Sequence, residues 1–204
     1  MKNIAIIGSG SWGVALAIHL ARIGHNIKMW SFSEDEKDLI NNERKCKFLP
    51  RAIIPDNIMC TTDFKEAIDL SEIILLVTPS KVIRGVVQKC KPYITDQLII
   101  ICSKGFEKST LYTLNEVVEE ELPNLRIGGL SGPSHAEEVS EGILTDIVIA
   151  SKDKELKLEI QETFTNETLR VYTSSDIKGA ELRRSIEKYN CFLCRNDNRI
   201  RIRR

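Results

Sequence analysis

The stretch Ile4-Ala-Ile-Ile-Gly-Ser-Gly-Ser-Trp-Gly13 runs from a short apolar strand directly into glycines at positions 8, 10 and 13. Each glycine has a physical role in a turn that carries a dinucleotide. Gly8 lets the chain turn tightly, Gly10 lets the backbone approach a pyrophosphate, and Gly13 lets the following helix pack against the strand. The phosphates would face the free N–H groups and positive end of a helix beginning near Ser11. The flanks supply the context this turn needs. Lys2 to Ile7 is β-prone, Val14, Leu16, Ala17, Leu20 and Ala21 form the apolar stripe of a helix ending at Gly24, and Asn26 to Trp30 reads as a second strand. Without those flanks the three glycines would read as a structural turn.

A carboxylate at the end of the second strand, about 20 residues past the turn, ordinarily holds the ribose hydroxyls. Ser31, Phe32 and Ser33 occupy that place and Glu34 arrives late. No Arg stands there for a 2'-phosphate either, so the choice between NAD and NADP stays open.

Beyond a charged helix at Glu34 to Arg44, the α/β alternation resumes. Strands are expected at Met59 to Thr61, Ile73 to Val77, Leu98 to Cys102, Arg126 to Leu130 and Ile147 to Ala150. Helices are expected near Lys65 to Leu70, Lys81 to Lys91, Leu111 to Glu121 and Lys154 to Phe164. Apolar strand runs alternating with helices predict an α/β fold, a doubly wound, mostly parallel sheet covered on both faces. Ligands lie across the carboxyl ends of such strands, which singles out Thr78-Pro79-Ser80, Ser103-Lys104-Gly105 and Ser131-Gly132-Pro133-Ser134-His135-Ala136. Thr78-Pro79-Ser80 reads equally well as a plain helix start. Lys104 places an ammonium one residue past a buried strand, facing the expected crevice, and Ser134 offers a hydroxyl at a helix N-terminus suited to a phosphate.

With 204 residues and 42% hydrophobic content, the chain can form one sizeable domain, or a domain and a fragment. Its apolar runs are far short of a membrane span and its start enters a strand without a secretory segment, so a cytoplasmic protein with no membrane insertion is expected. Cysteines such as Cys60, Cys90 and Cys102 sit in apolar segments and read as reduced core residues. The net charge of zero is unevenly spread: Arg183 to Arg204 hold eight basic residues against two acidic, a balance of +6, so the first 182 residues carry −6.

Taken in order, Gly8-Ser-Gly-Ser-Trp-Gly13, Phe48-Leu49-Pro50, Pro79-Ser80, Ser103-Lys-Gly-Phe-Glu107, Ser131-Gly-Pro-Ser-His-Ala-Glu137 and Asp176-Ile-Lys-Gly-Ala-Glu-Leu182 closely resemble bacterial NAD(P)-dependent glycerol-3-phosphate dehydrogenase. The resemblance implies a Rossmann-type domain over residues 1–182 that binds NAD or NADP and serves the reduction of dihydroxyacetone phosphate to sn-glycerol 3-phosphate, a phospholipid precursor. It implies that Gly8, Gly10, Ser11, Trp12 and Gly13 bind the cofactor, with Ala136 against it. Lys104 would lie between cofactor and substrate, and Gly132 and Ser134 would meet the substrate. Phe32 stands where the family commonly has Arg or His beside the adenosine 2' position; it can stack on adenine but cannot pair with a phosphate.

The resemblance stops at Leu182. The family continues with an all-helical domain opening Gly-Gly-Ala-Leu-Lys-Asn, whose lysine is the proton donor; here residues 183–204 differ and Glu187 stands at the lysine position. If Arg183 and Arg184 are AGG and Ser185 is AGC, dropping one base spells Gly-Gly-Ala, and permitted codons continue to Leu-Lys. The expectation is therefore a frameshifted, truncated product with the helical domain missing, no catalytic residue of its own, and apolar surface left bare that favours a homodimer. The basic tail is expected to be disordered or partly helical. Cys191-Phe-Leu-Cys194 has no second Cys or His pair to complete a metal site, and the Arg run lacks the aromatic interleaving of a specific nucleic-acid binder.

Overall fold

The computed structural model describes residues 1–182. The expectations for the tail, namely Glu187 at the lysine position, the Cys191 and Cys194 pair, the Arg run and the disorder of 183–204, lie outside the described residues.

The elements in chain order are β1 (Asn3–Ile7), α1 (Ser11–Arg22), β2 (Asn26–Trp30), α2 (Glu34–Glu43), β3 (Ile58–Thr61), α3 (Phe64–Ile68), β4 (Ile73–Leu76), α4 (Ile83–Cys90), β5 (Leu98–Ile101), α5 (Leu114–Glu121), β6 (Ile127–Ser131), α6 (Ala136–Glu141), β7 (Thr145–Ala150), α7 (Lys154–Phe164) and β8 (Leu169–Ser174). A 3₁₀ turn at Lys91–Tyr93 follows α4, and residues 177–182 are helical. The strands form one eight-stranded sheet in the order β3-β2-β1-β4-β5-β6-β7-β8. The order reverses between β1 and β4, which lie side by side in parallel with Ile7 opposite Leu76. A crevice opens at such a switch point, beyond the carboxyl ends of the two strands.

Strand composition follows from two-sided burial. Ile4 and Ile6 of β1 face a core with α1 and α7, which bring Leu16, Leu20, Ile160 and Phe164. Ala5 and Ile7 face a second core with α3, α4 and α5, which bring Ala67, Val87 and Val118. A strand buried on both faces has no polar side to show, so period-two alternation gives way to an apolar run.

The expected strands and helices are all present, with ends shifted by a few residues. Two features depart from the sequence reading. β7 runs antiparallel to β6, because α6 has six residues and rises only about 9 Å, too little to carry the chain back along β6 for a parallel start. β8 is an additional strand. It pairs in parallel with β7 as an edge strand, with Leu169 and Val171 buried while Arg170 and Tyr172 are exposed.

Candidate nucleotide-binding cleft

β1 ends in a turn whose geometry demands glycine. Gly8 has φ +132°, and a Cβ there would lie 2.9 Å from the Val77 carbonyl oxygen at the end of β4; a Cβ on Gly13 would overlap the Gly8 carbonyl oxygen. The turn thus presses α1 against both central strands. Gly10 caps α1 without a side chain to accept from the first N–H groups, and the first turn carries no acidic residue, while His19 and Arg22 lie in the last. An uncapped helix N-terminus with no carboxylate in its own first turn is an anion-accepting end.

That end opens on a cleft of about 1130 Å³, lined by the glycine turn, Trp12, Trp30, Phe32, Phe64, the loops after β4 and β5, and Ser134 to Glu137. The volume slightly exceeds the ordinary range of ligand pockets, roomy enough for a dinucleotide. At one side lie aromatic rings. Trp30 and Phe64 stack with centroids 4.2 Å apart and planes at 15°, and Phe32 is 89% exposed, its ring free to cover a base. At the other side Trp12, Lys104, Gly132 and Ser134 close around one narrow pocket.

Polar contacts fix these loops. Ser103 Oγ lies 2.5 Å from the Thr78 carbonyl oxygen and 3.1 Å from that of Leu76, stitching the Lys104 loop to the end of β4. Thr78 Oγ1 is buried on the cleft wall without a hydrogen-bond partner among the described residues, the kind of atom a bound polar group would satisfy. Ser131 Oγ donates to the Ala180 carbonyl, 3.1 Å, tying the Gly132 loop to the helical stretch at 177–182. Ser134 precedes the cap of α6, which is His135, and its Oγ lies 3.4 Å from the Gly132 carbonyl oxygen. α6 has Glu137 and Glu138 in its first turn, so the anion-accepting terminus of the cleft is that of α1.

Gly8, Gly10, Ser11, Trp12, Gly13, Phe32, Lys104 and Ala136 all line this one cleft, together with Ser134; Gly132 joins through the narrow pocket. Two groups of residues escaped the sequence reading. Arg84 of α4 grips Glu107, in the loop that continues from Ser103-Lys104, with Nε and Nη2 at 2.7 and 2.8 Å from its two carboxylate oxygens. The guanidinium holds the Glu107 carboxyl down at about 2, well below its ordinary 4.5. Glu36 of α2 reaches back to the glycine turn, where Ser9 Oγ donates to its Oε2 at 2.6 Å. The Arg84 contact spans 23 residues and left no local signal. The Glu36 contact had a partial one, since Ser33 and Glu36 stand at the spacing of a helix capping box.

A doubly wound sheet with an uncapped glycine turn at its switch point, and a lysine past the neighbouring strand, defines a dinucleotide-binding domain of the dehydrogenase class. The family described as NAD-dependent glycerol-3-phosphate dehydrogenase N-terminus matches residues 3–157, and the chain belongs to this family. It is similar to the glycerol-3-phosphate dehydrogenase [NAD(P)+] of Fusobacterium nucleatum, 46% identical over 187 residues, covering 89% of this chain and 56% of that protein. The enzyme of the same name from Clostridium acetobutylicum is 42% identical over 184 residues, covering 89% of this chain and 55% of its own length. Among solved structures, glycerol-3-phosphate dehydrogenase from Coxiella burnetii superposes with a TM-score of 0.86 at 34% identity, over 90% of this chain and 57% of that one. The chain therefore spans about half the length of the relatives it matches.

Proposed function

We propose that residues 1–182 form the dinucleotide-binding domain of an NAD(P)-dependent glycerol-3-phosphate dehydrogenase, acting in the cytoplasm on dihydroxyacetone phosphate and glycerol 3-phosphate. The observation that carries this reading is the convergence of the Gly8 to Gly13 turn and Lys104 on a single cleft. The N–H groups of Ser11, Trp12 and Gly13 would hold the pyrophosphate and Phe32 the adenine, with Lys104 and Ala136 toward the nicotinamide end. When bound, the reduced cofactor supplies the hydride. Lys104 gives the cleft wall beside Trp12 a positive charge suited to a phosphorylated ketone, with Gly132 and Ser134 close by.

A second reading, that this polypeptide holds the dinucleotide without turning it over, is favoured by residue 187. Glutamate stands there, where the resemblance places the lysine proton donor, and a carboxylate has the wrong charge to stabilise a developing alkoxide. Self-association through apolar surface belongs to the same proposal and is measured by light scattering.

The test has two stages. Titrating the 204-residue chain with NADH and NADPH should quench the emission of Trp12 and Trp30, both on the cleft wall, to saturation. Folded protein that binds neither would refute the nucleotide-binding reading. Adding dihydroxyacetone phosphate then separates the two readings, because steady oxidation of the bound cofactor would exclude the non-catalytic one.

A further inference from the structure

We propose that Glu36 reads the adenosine ribose and makes this site prefer NADH to NADPH, its carboxylate arriving from the first turn of α2 instead of from the end of β2. The proposal rests on the nucleotide-binding reading above. The position after β2 where a ribose-binding carboxylate is expected holds Ser31, which is fully buried, and Phe32, which faces outward. The structure brings the Glu36 carboxylate beside that place by another route, against Ser31 and behind Ser9 of the cleft wall.

Ser33 caps α2, and its Oγ accepts the Glu36 N–H at 3.4 Å. In a reciprocal capping box the glutamate side chain would return to the Ser33 N–H. It does not do so, because Ser31 Oγ accepts that N–H at 3.1 Å. The Glu36 carboxylate is released toward the glycine turn. Its Oε2 is 2.6 Å from Ser9 Oγ and 3.2 Å from Ser31 Oγ, and the two hydroxyls are 2.8 Å apart. Ser9 lies between Gly8 and Gly10 and lines the cleft, so the carboxylate is pinned beside the phosphate turn. Oε1 accepts no hydrogen bond among the described residues, which leaves an acceptor for a ribose hydroxyl.

The surrounding charge points the same way. Glu34, Asp35 and Glu36 occupy the first turn of α2. The nearby cation, Lys37, is ion-paired to Glu34 and Asp38. Asp35 and Glu36 have no ion-pair partner among the described residues, so a 2'-phosphate would meet their negative charge there, whereas ribose hydroxyls would be accepted. Lys81 and Lys89 also line the cleft but belong to the α4 segment, on the opposite face of the sheet from α2.

The experiment is an equilibrium titration of the chain and its Glu36→Gln variant with NADH and with NADPH at low salt, with thermal unfolding as a control for folding. The wild type should bind NADH at least about tenfold more tightly than NADPH, a difference of about 1.4 kcal/mol. In Glu36→Gln the ratio should fall several-fold toward one, with NADH weakened and NADPH strengthened. Should the variant not fold, salt titration of the wild type decides: screening should shrink the preference as ionic strength rises. Equal or tighter binding of NADPH by the wild type would give phosphate recognition to Lys81 and Lys89 and overturn the proposal, as would an unchanged ratio in the variant or a preference insensitive to salt. Binding of neither dinucleotide would overturn the nucleotide-binding reading itself, an outcome distinct from binding without preference.

Discussion

Replacing Arg84 by Met should loosen the loop that carries Lys104. The guanidinium spans both oxygens of Glu107, reaches Glu121 Oε1 at 2.6 Å through Nη1, and lies 2.8 Å from Glu120 Oε2. Glu107 also accepts from Thr110 Oγ1 at 2.6 Å, and Gln88 Nε2 donates to Glu121 Oε1 at 3.0 Å. Glu107 and Glu121 are 13% and 14% exposed, Arg84 26% and Glu120 56%. The Glu120 pair is a surface contact of little worth. The other two are charge-assisted and half shielded, and the variant leaves three carboxylates facing one another without a cation. Charged hydrogen bonds are worth about 1.5–3 kcal/mol each; after discounting for the water that still reaches this surface, a loss of about 2 kcal/mol is expected. For a domain of this size that lowers Tm by about 4–8 °C. Because the folded-state value of Glu107 is depressed to about 2 from 4.5, its stabilisation is complete above about 4.5 and is lost as pH falls toward about 2. The gap in Tm between wild type and variant should therefore narrow on acidification through that window. Arg84→Lys should recover only part of it, since an ammonium cannot span both oxygens. A Tm within about 1 °C of wild type at neutral pH, where charged pairs of this kind should count, or a gap that does not shrink in acid, would show that the cluster is a solvated surface and does not hold the loop.

Gly13→Ala places a methyl group on the Gly8 carbonyl; it should cost at least about 3 kcal/mol in urea unfolding, since backbone on both sides cannot yield, and should abolish NADH binding. Phe164 is fully buried between α7 and the sheet, so Phe164→Ala should lower stability by about 3–5 kcal/mol by the same assay. His19 donates from Nε2 to the Phe164 carbonyl at 2.7 Å and burial lowers its pKa below the ordinary 6.5; His25, which accepts the Lys2 N–H at Nδ1, is lowered for the same reason. Both are folded as neutral rings, so their stabilisation is present above 6.5 and is lost as pH falls through the lower folded-state values. The urea midpoint should fall as pH drops below about 6.5, and His19→Gln should flatten that slope.

Legibility in the sequence divides along the line between local and long-range constraint. β1 and α1 declare themselves because an all-apolar run, three glycines and a helical stripe succeed one another without interruption from Ile4 to Arg22. The central strands β4 and β5 are equally plain, since burial on both faces leaves them no polar position. β8 escaped because it is an edge strand covered on one face. Leu169-Arg-Val-Tyr alternates instead of forming a run, and that alternation was the available signal. The loops that line the cleft are legible for a related reason: strand ends are fixed by the backbone pattern, and the loop residues immediately beyond them face the crevice. Side-chain direction is a different matter. Glu36 carries a correct capping spacing, yet its carboxylate is drawn away by Ser9, 27 residues earlier, and Arg84 reads as a solvated helix residue until the fold places Glu107 and Glu121 around it. In both cases two short-range assignments of one charged group compete, and the winner is decided by a partner that only the folded sheet brings near. The charges that tune this site are therefore the part of it that sequence pattern conceals, while the glycine turn that builds it is the part that pattern displays.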